Sequence, residues 1–138
     1  MTALSTFPMS QADTASADSA LLAQIQSDLQ TATAMLSALR PGVTIFGSAR
    51  TAPEAHAFRC AEQLGRGLAE AGVPVLTGGG PGIMEAATRG AAAAGGVAVG
   101  LSSELPYERA ASPRLTHQLH FRQFLTRKRM LKRYSRGF

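Results

Sequence analysis

The sequence is poor in cysteine and in long apolar runs. Cys60 is the only cysteine among 138 residues, so no disulfide can form within the chain. No apolar run approaches the roughly 18 residues that a membrane-spanning helix needs, and residues 1–19 lack the pattern of a secretory signal. These absences predict a cytoplasmic protein with no membrane partner. The helical pattern around Cys60 predicts a small buried side chain there rather than a nucleophile.

Acidic residues are absent from the last 18 positions, which carry seven Lys or Arg. Residues 1–120 hold seven Lys or Arg against nine Asp or Glu, so the overall charge of +5 comes from the C-terminal segment alone. Such a run is typical of a solvated helix face or of an anion-binding edge. Because the rest of the chain is net negative, we expect no nucleic-acid partner.

The glycine-rich run Thr77–Ala87 lacks the features of the common nucleotide motifs. Its glycines do not give the dinucleotide spacing G-x-G-x-x-G, and no carboxylate lies about 20 residues further on. Gly82 is followed by Ile83, where a P-loop requires Lys. What remains is a strand that leads through a glycine turn into a helix, an arrangement that can hold a phosphate. The alternative interpretation is a tight turn without a ligand.

Metal ligands and a hydrolase triad are also missing from the sequence. His117 and His120 would point to opposite faces of a strand, with no Cys, Asp or Glu nearby in the sequence. Ser48 follows a glycine at a strand end, but its surroundings do not match G-x-S-x-G. We therefore predict no metal site and no cofactor.

Three segments of the chain differ in composition and pattern. Residues 1–17 are rich in Ser, Thr and Ala, which predicts a disordered leader, and residues 18–40 predict one amphipathic helix that packs on the domain or on a second subunit. Residues 43–138 alternate strand and helix signals. Strands are predicted at 43–47, 73–77, 97–101 and around Leu119, and helices at 53–71, 81–94 and 122–136. This order is typical of an α/β, Rossmann-like, doubly wound parallel sheet.

Four segments together resemble the Lonely Guy (LOG) family of Rossmann-like proteins. They are Phe46–Arg50, Thr77–Ala87, Leu105–Glu108 and Phe124–Leu131, and the resemblance runs from about residue 43 to the last residue. It implies a phosphoribohydrolase that cleaves the N-glycosidic bond of a nucleoside 5′-monophosphate and releases a free base and ribose 5-phosphate. The implied substrates are cytokinin riboside monophosphates or AMP, and family members are usually homodimers.

The resemblance also implies roles for individual residues. Arg127 corresponds to the catalytic arginine, with Lys128 beside it. The implied substrate-binding residues are Gly47, Ser48, Gly78, Gly79, Gly80, Gly82, Met84 and Lys128. A nucleotide-binding module without catalysis remains the alternative.

Two departures from the family pattern bear on activity. Thr88 stands where relatives often carry Asn, which affects a local hydrogen bond. The family's second signature, P-G-G-x-G-T-x-x-E, would follow the next strand after Tyr134, and the sequence ends at Phe138. We therefore expect an incomplete domain, truncated before its last strands, with little activity alone. Glu85 is the acidic residue of the glycine run, where it can serve either catalysis or the helix dipole.

Overall fold

The structure is a computed structural model that describes residues 10–103 and 114–138. Within these ranges no helix is both long and apolar enough to cross a bilayer. Helices and strands alternate along most of the described chain. The elements are α1 (Gln11–Leu36), β1 (Gly42–Thr44), α2 (His56–Glu70), β2 (Val75–Thr77), α3 (Ile83–Ala93), β3 (Ala98–Ser103), β4 (His117–Phe121), α4 (Phe124–Arg133) and β5 (Ser135–Gly137).

The described strands form one parallel sheet in the order β4-β3-β2-β1-β5. Strands β1 to β4 follow one another across the sheet, and β5 then pairs on the far side of β1. The winding direction therefore reverses beside β1, which confirms the predicted doubly wound, Rossmann-like sheet. In such sheets ligands bind beyond the carboxyl ends of the strands, near the reversal.

Helices cover both faces of this sheet. Because neighbouring strand residues point to opposite faces, Leu76 packs in a cluster with α1 and α4, whereas Val75 packs against α3. The first cluster contains Leu36 of α1 and Met130 of α4, and the second contains Ala91 of α3. The sheet is therefore buried on both sides, so a ligand can reach its polar groups only at the loops that follow the strands.

Helices α2 and α3 approach each other through glycines. A Cβ on Gly65 would overlap the carbonyl group of Ala87, and a Cβ on Gly90 would overlap the carbonyl group of Glu62. The side chains of Glu62 and Arg89 form an ion pair at 3.6 Å across the same contact. This close packing fixes the position of α3 and of the glycine turn that precedes it.

Helix α1 begins at Gln11, so the prediction of disorder is wrong for residues 11–17. Ser10 caps the helix, since its hydroxyl accepts a hydrogen bond from the main-chain N–H of Asp13 at 3.1 Å. The sequence pattern missed this start because the first half of the helix buries no apolar side chain. Residues 1–9 of the predicted leader lie outside the described residues.

The basic helix and the N-terminal end of α3 also differ from prediction. Helix α4 ends at Arg133, and Ser135–Gly137 form strand β5, because Gly42 and Val43 of β1 offer a free edge for pairing. The hydroxyl of Ser135 donates to the carbonyl of Leu131 at 2.7 Å. Helix α3 begins at Ile83 rather than at residue 81.

Cys60 is exposed, so the prediction that it is buried is wrong. The buried face of α2 consists of Phe58, Ala61 and Gly65, which recur at helical spacing and leave Cys60 on the outer face. Its Sγ atom lies 3.3 Å from Nε2 of His56, one turn earlier on the same helix.

Candidate functional site

The loops that follow β1 and β2 lie against each other at the carboxyl edge of the sheet. The main-chain N–H of Ile83, at the start of α3, donates to the carbonyl of Ser48 at 3.1 Å. Gly82 has a φ of +71°, and a Cβ there would overlap the Ser48 carbonyl and the Ala49 backbone. A Cβ on Gly47 would likewise overlap the side chain of Ile83. The structure thus brings the two predicted loops together, and glycine is required on both sides of the contact.

Arg127 connects this junction to α4. Its Nε donates to the carbonyl of Leu101 at 2.5 Å, and its Nη2 donates to the carbonyl of Gly78 at 3.3 Å. The half-buried guanidinium group also lies 6.0 Å from the ring centroid of Phe124. A guanidinium offers five N–H donors in a fixed fork, so one side chain can join β3 to the residue that follows β2. Arg127 therefore holds the start of the glycine turn in place and sets a positive charge beside it.

A cleft of 620 Å³ opens between the two loops. This volume is within the range of small-molecule sites. Of the residues predicted to bind substrate, Gly80, Gly82 and Met84 line it. Its other lining residues are Ala49, Arg50, Thr51, Pro53, Phe58, Pro81 and Glu85.

The other predicted substrate-binding residues do not line this cleft. Ser48 accepts a hydrogen bond at its Oγ from the N–H of Arg50 at 3.1 Å, which shapes the β1 loop. Gly79 is buried and donates from its N–H to Oγ1 of Thr77 at 3.1 Å. Gly78 is buried against Arg127, whereas Gly47 is exposed but has no room for a Cβ beside Ile83. These residues support the loops that form the cleft.

Lys128, which the resemblance implies as a substrate-binding residue beside Arg127, does not line the cleft. It lines a separate groove with Leu125, Arg129, Lys132 and Arg133. Consecutive residues of an α-helix point about 100° apart, so adjacent positions on α4 face different surroundings. Adjacency in the sequence was therefore a poor guide to the side of the helix on which Lys128 lies.

Seven of the cleft's lining residues were not among the predicted site residues, and three of these carry a charge or an aromatic ring: Arg50, Glu85 and Phe58. Arg50 lies two positions after Ser48 at the same strand end, and an exposed cation at this place in the sequence could have indicated a binding residue. The sequence leaves the role of Glu85 open between catalysis and the helix dipole, and the residue lies in the first turn of α3, where it lines the cleft. Phe58 belongs to α2, far from the glycine run in sequence, and no motif marked it.

Thr88, the departure from the family pattern, bonds within its own helix. Its buried hydroxyl lies 3.0 Å from the carbonyl of Met84 and 3.1 Å from that of Glu85, and it donates to this pair.

In the described part of the chain, no three His, Cys, Asp or Glu side chains come close enough to hold a metal ion. Nδ1 of His117 lies 2.9 Å from Oγ1 of Thr116, and Nδ1 of His120 lies 3.0 Å from Oγ of Ser102.

Comparison with known proteins identifies relatives of this fold. The X-ray structure of TM1055, a structural genomics target, is 31% identical and covers 70% of this chain and 57% of its own length, with a TM-score of 0.55. The Moco carrier protein from Chlamydomonas reinhardtii is 31% identical over 59% of this chain and 49% of its own, with a TM-score of 0.48. The chain thus spans about half the length of these two solved structures. No curated protein sequence matches it significantly.

The sequence also matches a family description. Residues 40–121, more than half of the chain, match the SLOG cluster4 family. LOG-like proteins include nucleotide-processing hydrolases. The parallel sheet, the glycine turn and this match agree with one another, and the chain belongs to the SLOG cluster4 family of LOG-like proteins.

Proposed function

We propose that the cleft binds a nucleoside 5′-monophosphate and that the protein hydrolyses its N-glycosidic bond. AMP and cytokinin riboside monophosphates are the substrates we propose, without a cofactor and in the cytoplasm. The observation that carries the proposal is the junction at the glycine turn, where Ile83 bonds to Ser48 and Arg127 bonds to Gly78. The occurrence of nucleotide hydrolases among LOG-like proteins supports the reaction class.

The phosphate group has a suitable place at the glycine turn. Main-chain N–H groups in the first turn of α3 and the positive end of its helix dipole favour an anion there. Gly80 and Gly82 carry no side chains, so phosphate oxygens can approach the backbone closely. Arg50 lines the same cleft and adds a full positive charge. These groups together favour a phosphorylated ligand over a neutral nucleoside.

The reaction needs a carboxylate as well as cations. Breaking an N-glycosidic bond builds positive charge on the ribose ring, and a carboxylate stabilises this charge and orients the attacking water. Among the described residues that line the cleft, Glu85 is the only acidic one. We assign it to the ribose side of the site. Arg127, which does not itself line the cleft, is the proposed catalytic arginine and would contact the substrate through N–H donors other than the two bonded to the main chain.

Binding and hydrolysis can be tested separately. The chain is incubated with AMP, and adenine and ribose 5-phosphate are followed by chromatography, while calorimetry measures AMP affinity in parallel. Saturable binding supports the proposed site, and release of ribose 5-phosphate, even at the low rate expected of this chain alone, supports the proposed reaction. Failure to bind either AMP or a cytokinin riboside monophosphate rejects the site itself.

A nucleotide-binding module without catalysis is the second proposal. The observation that favours it is that Arg127 already donates hydrogen bonds to the carbonyls of Leu101 and Gly78. These hydrogen bonds give Arg127 a structural role that does not depend on catalysis. AMP binding without any release of adenine during prolonged incubation would favour this second proposal.

A further inference from the structure

The groove on α4 concentrates positive charge at the surface. Its lining consists of one aliphatic residue, Leu125, and the four exposed cations Lys128, Arg129, Lys132 and Arg133. None of these four cations forms an ion pair within the described chain, and the sequence has no Asp or Glu after position 108. The volume of the groove is 630 Å³, which is within the range of ligand sites. The chemistry proposed for the cleft does not use this surface.

The helix itself accounts for only part of this charge. Lys132 and Arg133 lie in the last turn of α4, where cations stabilise the helix dipole. Lys128 and Arg129 lie in the middle of the helix, where the dipole gives them no such role. Each also stands one turn from a like charge in the last turn, an arrangement that destabilises a helix. An anionic partner in the groove would offset this repulsion.

Leu125 adds an apolar centre to the charged groove. It is 75% exposed, whereas Met130 and Leu131, further along the same helix, are buried in the core. Protein–protein contacts commonly combine an apolar centre with a polar, solvent-accessible rim. A partner for this groove should therefore supply an apolar side chain as well as anionic groups.

A nucleic acid or a lipid surface matches the groove less well than a peptide does. Single-stranded nucleic acids are bound by cations together with aromatic side chains that stack on the bases. The described residues that line the groove include no aromatic one, and the ring of Phe124 lies outside this lining, 6.0 Å from the guanidinium of Arg127. A helix on a lipid surface needs a broad apolar face, but Met130 and Leu131 turn that face of α4 into the core.

We propose that the α4 groove binds an acidic, helical segment of another protein, with an apolar side chain of that segment against Leu125. Acidic residues one helical turn apart would match the spacing of Lys128 with Lys132 and of Arg129 with Arg133, since each pair is also one turn apart. The proposal concerns an interaction surface and is independent of the chemistry proposed for the cleft.

Fluorescence anisotropy with synthetic peptides tests the chemistry of the partner. A labelled peptide of about 12 residues forms a helix roughly 18 Å long, which covers α4. The probes carry Glu residues one turn apart and one Leu, which is moved along the peptide, and the matched control replaces the Leu with Ala. We expect the full chain to bind a Leu probe saturably and at least tenfold more tightly than its Ala control. Equal affinity for every such pair, or no saturable binding, would overturn the proposal.

Variants of the groove test its location. Leu125→Ala and the double variant Arg129→Glu, Lys132→Glu should each weaken binding of the Leu probe at least tenfold. Arg66→Glu reverses an exposed cation on α2 and should leave the affinity unchanged. Circular dichroism confirms that each variant is folded. Wild-type affinity in either folded groove variant would overturn the proposal.

The two other anionic partners are separated in the same assay. Oligouridine and vesicles that contain phosphatidylserine are titrated as competitors of the bound Leu probe. We expect either competitor, at equal charge, to displace the probe less effectively than the unlabelled Leu peptide does. More effective displacement by oligouridine or by the vesicles would overturn the assignment of the groove to a peptide.

Discussion

Arg127 and Gly78 share one small space. Nη2 of the arginine donates to the carbonyl of Gly78 at 3.3 Å, and a Cβ on that glycine would overlap the same nitrogen. The absent side chain at Gly78 therefore makes room for the arginine. The charge that we propose for catalysis thus depends on the glycine turn for its position.

Gly78→Ala should displace the guanidinium of Arg127. We expect AMP affinity to fall by at least about tenfold, or about 1.4 kcal/mol, because the turn and its cation lose their arrangement. Calorimetry measures the affinity, and circular dichroism confirms that the variant is folded. Gly67→Ala is the control, since a Cβ there meets nothing within 4 Å. AMP affinity equal to wild type in folded Gly78→Ala would contradict the assignment.

Arg127→Lys should lose the bridge between β2 and β3. A lysine ammonium keeps the charge but lacks the planar fork that reaches the carbonyls of Leu101 and Gly78. We expect a stability loss of about 1–3 kcal/mol in urea unfolding, together with weaker AMP binding. Arg129→Lys changes an exposed residue on the same helix and should have neither effect. Equal behaviour of the two variants would show that charge alone matters at Arg127.

Glu85→Gln should separate binding from hydrolysis. In a preparation that hydrolyses AMP, we expect the rate of adenine release to fall by about 100-fold while AMP affinity changes little, because the amide cannot stabilise charge on the ribose. Glu54→Gln, at an exposed position outside the cleft lining, is the matched control. An unchanged rate in Glu85→Gln would assign Glu85 to the helix dipole instead.

Alanine substitutions at two glycines of α2 should change the free energy of unfolding in opposite directions. Gly65→Ala places a methyl group against the carbonyl of Ala87, and we expect the free energy of unfolding to fall by about 2–4 kcal/mol. Gly67→Ala, two residues further along the same helix, meets open space and should raise it by about 0.5–1 kcal/mol. Urea unfolding of both variants measures the difference. Similar free energies would refute the close contact between α2 and α3.

The sequence predicted the sheet and the meeting of its two loops. Both conclusions rest on local patterns, since glycine stops and apolar runs mark the strands, and parallel strands end at one edge. Strand β5 was not predicted because Ser135–Gly137 carry no strand pattern of their own and become a strand by pairing with β1. The start of α1 was missed because its first half buries no apolar residue.

The site was predicted less completely than the fold. Gly80, Gly82 and Met84 line the cleft as expected, but the positions of Phe58 and Lys128 depend on how α2 and α4 dock on the sheet. Helix rotation of this kind is set by packing between residues far apart in sequence. The contact of Arg127 with Leu101 is an example, since it spans 26 positions.

The most direct test of the account compares AMP with adenosine in calorimetric titrations of the wild-type chain. The glycine turn, α3 and Arg50 are assigned to the phosphate, so adenosine, which lacks it, should bind at least about tenfold more weakly than AMP. Raising the salt concentration should narrow this difference, because ions screen the exposed charge of Arg50. Equal affinity for AMP and adenosine, or no binding of AMP, would contradict the account.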